Sequence, residues 1–391
     1  MKSKNLTAVL WFLLALSGSA GRGETGPAGT IPPPGSRERP PAPVTRLEPI
    51  RLRPDGQSFV LGRSGQPFRV WGVNYDHDSS GENGRLLEDY WTGEWETVCR
   101  DFQEMKELGA NVVRIHLQLA EFMTAPATPN LPALAQLRHL LELAERTGLY
   151  LDITGLGCYH KKDTPKWYDD LGEAARWQVQ AGFWTAVAQT CRTSPAVFCY
   201  DLMNEPVIGG NPAEGWVTGE LGGKCFVQRL TLDQGRRSAV EVAKAWVDAL
   251  TTAIRAEDPD HLITVGVIPW AMVWPAAKPV FYAPEVRDAL DFVSIHLYPK
   301  KGQVDEALTA MATYDIGKPL VIEETFPLAC SLEEMDDFLK RSRARAEGYF
   351  SFYWGRTIGD YAALTSEKEL AGLMGAWLEY FRRQAGFMKR P

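Results

Sequence analysis

The stretch Val197-Phe198-Cys199-Tyr200-Asp201-Leu202-Met203-Asn204-Glu205-Pro206 decides the fold. It is a short apolar run, long enough for one buried strand, that ends in a carboxylate and then in a proline, which removes a backbone donor and turns the chain. A second run of this kind, Pro319-Leu320-Val321-Ile322-Glu323-Glu324, lies far downstream. If both are parallel strands of one closed barrel, their C-terminal ends share one mouth, and two acids distant in sequence flank a common pocket.

The rest of the chain supports that arrangement. Strand-like runs occur at Arg69 to Asn74, Asn111 to His116, Leu149 to Ile153, Val197 to Met203, Leu262 to Val267, Phe292 to His296, Leu320 to Glu323 and Tyr349 to Tyr353. Between them fall segments of helical period: Glu96 to Leu108, Leu131 to Arg146, Glu173 to Thr190, Gly235 to Arg255, Val304 to Thr313 and Ser331 to Ala346, with Glu367 to Arg382 closing the chain. Only the connection Val286 to Leu290 is too short for a full helix. Alternating strands and helices imply parallel strands with right-handed crossovers, so the expected fold is α/β, a (β/α)8 TIM barrel. A doubly wound open sheet is the alternative, but Trp71-Gly72-Val73-Asn74-Tyr75 lacks the glycine spacing of its phosphate-binding turn.

Upstream, Ser58-Phe59-Val60-Leu61 and Pro67-Phe68-Arg69-Val70 flank a turn containing Gly62-Arg63-Ser64-Gly65. They are expected to form an N-terminal β-hairpin closing the bottom of the barrel. Residues 21–46 are rich in Gly and Pro and poor in apolar side chains, which marks a tether without a core of its own. Before it, Lys2 and Lys4 precede an apolar run from Leu6 to Leu16 and the small residues Ser17-Gly18-Ser19-Ala20. That is the pattern of a secretory signal peptide cut near Ala20, the run being shorter than the ~20 residues that span a bilayer. The expected organisation is a signal at 1–20, a linker at 21–46 and one catalytic domain over 47–391. The chain would then be secreted or periplasmic, without stable membrane insertion after cleavage.

The sequence has 391 residues, 45% hydrophobic and 23% charged, ample for one large core. Its net charge of −7 and lack of a basic stripe speak against nucleic acid as a partner. Six cysteines, at 99, 158, 191, 199, 225 and 330, permit disulfides in an exported protein. Spacing does not choose among pairings; a local bridge between Cys191 and Cys199 is the first expectation, with buried unpaired thiols as the other. None has the Cys-x-x-Cys spacing of a zinc site.

Two carboxylates at one rim suit the cleavage of a glycosidic bond, in which one acid protonates the leaving oxygen and the other attacks or stabilises the sugar carbon. Glu205 suits the acid, and Asn204 beside it can donate to a sugar hydroxyl. At these residues the chain resembles glycoside hydrolase family 5 and its clan. Tyr200 to Pro206 is similar to the acid/base motif, Asn111-Val112-Val113-Arg114 to the second strand, Ser294-Ile295-His296-Leu297-Tyr298 to the sixth and Tyr353-Trp354 to the eighth. The likeness spans about residues 49–380, and its force lies in ordered co-occurrence.

The resemblance implies a retaining β-glycosidase with Glu205 as acid/base and Glu324, in preference to its neighbour Glu323, as nucleophile. Adjacent strand residues point to opposite faces, so only one of the two is expected to face the pocket, the other forming a structural ion pair. Arg114 would hold the nucleophile bidentately, and Tyr298 would hydrogen-bond it. His296 would meet a sugar hydroxyl or the acid, and Trp354 would floor the sugar site unless it is a core tryptophan. Trp270 and Trp274 would line further subsites, with Tyr159, His160 and Trp167 as weaker candidates. No metal or organic cofactor is implied, and the partner is a carbohydrate.

Two departures bear on the substrate. Thr154 stands where many family members carry histidine, and Thr325-Phe326-Pro327 follows Glu324 in place of an aromatic and glycine. The first raises the alternative of a non-catalytic carbohydrate-binding barrel. An ester or amide hydrolase is the other alternative, and it lacks a Gly-x-Ser-x-Gly elbow. Long connections at 75–94, 155–172 and 206–234 suggest a walled site.

Overall fold

The computed structural model describes residues 47–75, 85–209, 212–221, 223–365 and 368–391. The expected signal peptide and linker lie outside the described residues. Eight parallel strand positions close into a barrel: Val70–Tyr75, Val112–Gln118, Tyr150–Gly157, Val197–Asp201, Leu262–Val267, Val293–His296, Leu320–Thr325 and Ala346–Trp354. The fifth is split at Val265 into Leu262–Thr264, which pairs with the fourth strand, and Gly266–Val267, which pairs with the sixth. These two halves are the ends of the sheet order, so the split strand is where the barrel closes on itself.

The strands are rich in Val, Ile and Leu and buried along nearly their whole length, as parallel strands covered on both faces must be. The outer helices follow the periodicity read above. Two of them begin at capping boxes, Ser238 with Glu241 and Ser331 with Glu334. The second of these stops at Ser342, earlier than expected, because the eighth strand already begins at Ala346. Where the sequence is too short for a helix, a single 3-10 turn spans Arg287–Ala289.

The bottom is closed by a sheet with one strand more than the expected hairpin. Ile50–Leu52, Phe59–Leu61 and Pro67–Phe68 pair antiparallel, and Ile50, Phe59 and Phe68 pack on Val112, Phe198, Phe292 and Phe350 at the strand starts. Phe59 stands edge-on to both Phe198 (5.2 Å) and Phe292 (5.3 Å). Burying each such ring contributes about 1.5–3 kcal/mol, which makes this plug a small second core beneath the main one. Among the described residues no helix is long and apolar enough to cross a membrane.

The expected Cys191–Cys199 bridge is not present: all six cysteines are unpaired thiols, with Cys191 and Cys199 wholly buried. Cys191 ends a helix on the outer layer, whereas Cys199 lies in the fourth strand and joins the cluster at the barrel bottom. Closeness in sequence does not bring the two sulfurs together.

Candidate active site

The barrel brings the expected acids to one rim. Glu205 lies just beyond the fourth strand, and Glu324 is the penultimate residue of the seventh. One carboxylate oxygen of each, with a ring nitrogen of His296, lie within 4.8 Å of one another. Glu205 holds a left-handed backbone (φ 47°), unusual for a residue with a side chain. Its N–H donates to the Gly266 carbonyl at 2.9 Å, which ties this turn to the split fifth strand. A conformation of that kind costs about 1–3 kcal/mol and persists only where its surroundings hold it.

Arg114, on the second strand, has no solvent exposure and organises the floor. Nη1 donates to Glu324 Oε1 (2.7 Å) and Asn74 Oδ1 (3.0 Å), Nη2 to Asp201 Oδ2 (2.8 Å) and Asn204 Oδ1 (3.0 Å), and Nε to Thr154 Oγ1 (2.8 Å). The expected bidentate grip on one carboxylate is therefore replaced by a fork divided between two. Burial opposes the charge on Arg114, but Glu323, Asp201 and Glu324 around it raise its pKa well above the ordinary value. Tyr298 donates to the other oxygen of Glu324 at 2.7 Å.

Glu323 and Glu324 do not divide between opposite faces as alternation predicts. Glu323 Oε2 lies 3.2 Å from His296 Nε2 and 3.6 Å from Arg114, in the same cluster as Glu324. The physical reason is a break in register: Ile295 pairs with Ile322 but His296 with Glu324, and the pairing with the eighth strand also shifts between Ile322 and Thr325. This irregularity re-aims one side chain. Glu323 is 0% exposed and Glu324 is 7% exposed, so only Glu324 reaches the pocket surface.

His296 bridges the two layers of acids. Nδ1 lies 2.9 Å from Glu205 Oε1 and 3.4 Å from Glu324 Oε1, and Nε2 faces Glu323. Burial opposes its charge, yet Glu324, Glu205 and Glu323 outweigh it and push the imidazole up to about 10. The ring is a cation with two N–H donors. Glu205, His296 and Glu324 are close enough together to surround a small cation, but Arg114, donating to Glu324 at 2.7 Å, already supplies positive charge there.

The other candidates take different places. Asn204 is buried, accepting from Arg114 and donating to Phe226 O at 3.0 Å, so its amide supports the wall as well as the site. Trp354 is 2% exposed and packs tilted against Tyr75 (6.0 Å between centroids). Trp270 stacks on the exposed Trp274 at 5.3 Å, in a turn beyond the fifth strand. Tyr159 is buried and reaches His116 Nδ1 at 2.5 Å, while its ring packs 5.0 Å from Phe226. Phe226 belongs to a hairpin, Val217–Leu221 with Lys224–Arg229, that the long 206–234 connection builds as a wall.

Sequence reading passed over Asp201, Asn74 and His116 as members of the site. Asp201 receives Arg114 on Oδ2 and the Gly266 N–H on Oδ1 (2.8 Å). Thr154, the departure noted above, donates to Asp201 Oδ2 at 2.9 Å while accepting from Arg114, so its hydroxyl is part of the floor. His116 pairs directly with Thr154 across the sheet, and burial, then Arg114 and His296, hold it well below its ordinary range, hence neutral. The missed signal was the period-two placing of polar residues in apolar strands: Arg114 with His116, and Asp152 with Thr154.

Residues 62–326 match the cellulase family, glycosyl hydrolase family 5. No curated protein matches the sequence. Among solved structures, the fold is similar to an exo-β-1,4-mannosidase from Opitutaceae bacterium strain TAV5, with 17% identity and TM-score 0.61 over 87% of this chain and 62% of that one. This chain thus spans less than two thirds of the Opitutaceae protein. It is also similar to an endo-1,4-β-mannanase from Eisenia fetida (14% identity, TM-score 0.58, 78% of this chain and 90% of that one). A third likeness is to a β-mannanase from the blue mussel Mytilus edulis (16%, 0.56, 84% and 96%). At such identities the likeness is one of fold.

Proposed function

The chain belongs to glycosyl hydrolase family 5 and is a glycoside hydrolase; from that premise we propose a retaining β-glycosidase acting on β-linked glycans, with Glu205 as acid/base and Glu324 as nucleophile. The observation that carries this reading is the spacing of the two acids, whose nearest oxygens lie within 4.8 Å. A double displacement needs carboxyls about 5–5.5 Å apart, whereas direct attack by water needs about 6.5–9.5 Å.

In the first step Glu324 attacks the anomeric carbon while Glu205 gives its proton to the departing oxygen, and a glycosyl ester forms. In the second, Glu205 takes a proton from water, whose oxygen displaces Glu324 and restores it. Arg114 and Tyr298 each give one oxygen of Glu324 a donor at 2.7 Å, which aims the carboxylate. His296 beside Glu205 stabilises the anion left when the acid has given up its proton. Because Thr154 accepts from Arg114 Nε and so completes the acceptors around that guanidinium, the departure that raised a binding-only barrel leaves this machinery intact.

The solved neighbours are named for β-mannosidic activity, which makes β-mannan and aryl β-mannosides the first substrates to try, beside β-glucans. On an active substrate, Glu324→Ala removes turnover and Glu205→Ala lowers kcat/KM by about 10²–10⁴-fold. Full activity in either variant overturns the assignment. We further propose that residues 1–20 direct export, 21–46 form a tether and 47–391 the catalytic domain; an exported protein whose N-terminus begins well before residue 20 would contradict this.

A further inference from the structure

Below the two proposed catalytic acids lies a carboxyl to which that chemistry gives no task. Asp152, on the third barrel strand, has no solvent exposure, and neither of its oxygens meets an N–H or O–H donor among the described residues. Glu323 Oε1 is in the same position. The Asp152 and Glu323 carboxyls nevertheless lie against each other. Two carboxylates have no donor between them, so this contact requires a proton on one.

The neighbours decide which carboxyl keeps it. Glu323 faces His296 Nε2 at 3.2 Å and Arg114 at 3.6 Å, two cations that favour its charged form. Asp152 faces Glu323, Asp201 and Arg114, with the Cys199 thiol also against it. Burial and then the charge of Glu323 raise Asp152 well above the carboxylate range; Glu323 is lowered because Arg114 and His296 overcome its burial. Glu324 and His116 complete the titratable groups around His296, and Tyr282 stands beside Glu323.

We propose that Asp152 is a positioning residue, carried as a neutral acid that donates its proton to Glu323, so that Glu323 stays an anion beneath His296 and His296 stays a cation donating to Glu323 and Glu205. The inference rests on the reading of Glu205 as acid/base for its catalytic meaning, though not for its test. The row Asp152, Glu323, His296, Glu205 carries a fixed charge from the barrel floor to the proton that moves in catalysis. The fifth strand is built around it: a Cβ on Gly266 would lie 2.2 Å from Glu323 Oε2 and 2.6 Å from His296 Nε2, so only glycine fits there without displacing the pair.

The test is a pH titration of the full chain labelled with ¹⁵N-histidine, the His296 ring signals being those lost in His296→Gln. In the wild-type protein His296 stays protonated until about pH 10. Asp152→Asn, which keeps an N–H donor toward Glu323, leaves that midpoint in place, and Asp152→Ala lowers it by about one pH unit or more. An unmoved midpoint in Asp152→Ala, or an equal shift in Asp152→Asn, overturns the proposal. A second readout needs only the isosteric variant: the infrared difference between wild type and Asp152→Asn contains the C=O band of a protonated carboxyl. Loss of an ionised carboxylate band in its place overturns the proposal. Neither readout uses turnover, so a failure here is distinct from a failure of the catalytic assignment.

Discussion

Arg114 gives Glu324 one arm of its guanidinium, at 2.7 Å, and turns the other arm to Asp201 at 2.8 Å. The proposed nucleophile is thus aimed by a side chain that is itself fixed from behind. Lysine cannot reproduce a planar fork that serves two carboxylates at once. Arg114→Lys is expected to lower kcat/KM by about 10²-fold through misplacement of Glu324. It also leaves buried acceptors among Thr154, Asn74, Asp201 and Asn204 without a donor, at a cost of about 1–3 kcal/mol read as a fall in Tm. Wild-type kinetics in this variant would show that the fork does not position the acid.

Gly266→Ala tests the close approach at the split strand. Its Cβ meets Glu323 and His296 at distances no atoms tolerate, and the Gly266 N–H and carbonyl also hold Asp201 and Glu205. A loss of about 10²-fold in kcat/KM is expected, with a stability cost of about 1–3 kcal/mol from overpacking. Unchanged kinetics in a stable variant would mean that Glu323 and His296 can shift without consequence.

Stability should fall from neutral to alkaline pH. His296 is raised to about 10 in the folded protein, against burial, by Glu324, Glu205 and Glu323, from an ordinary value of 6.5. A raised value means the folded state binds the proton more tightly, so the contribution is whole below pH 6.5 and is lost as pH climbs toward 10. Burial also raises Glu88, to about 8, which acts in the same direction between pH 4.5 and 8. Thermal unfolding measured across this range should give a declining Tm, with a shallower decline in His296→Gln. A Tm that is flat or rising over the window contradicts the assignment of charge.

Thiol titration of the unfolded, unreduced protein should find six free cysteines. In the folded protein the half-buried Cys99 and Cys330 should react first, since the other four are buried. A shortfall of two thiols would mean a disulfide that this structure lacks.

The eight strands were legible because each is an apolar run bounded by polar or turn-forming residues, and the barrel followed from their alternation with helices. Glu205, Glu324, His296, Tyr298 and Arg114 were legible because their order matches one family, and the structure brings all five together. What the strings of residues concealed was the break in strict alternation. The register shift at Glu323 and Glu324, the splitting of the fifth strand at Val265 and the left-handed turn at Glu205 are all departures from ideal strand geometry. They lie around one buried charge cluster, which local pattern does not encode. Asp201 and Asp152 were hidden for a related reason: a lone acid in a strand reads as an edge or surface residue until its inward direction is known.

The covalent role of Glu324 shows in the anomer first released, followed by ¹H NMR, from a β-glycoside that the enzyme turns over. Acids held as closely as Glu205 and Glu324 predict that the β-anomer accumulates first and then mutarotates. Initial release of the α-anomer would mean direct displacement by water and would contradict the covalent role assigned to Glu324.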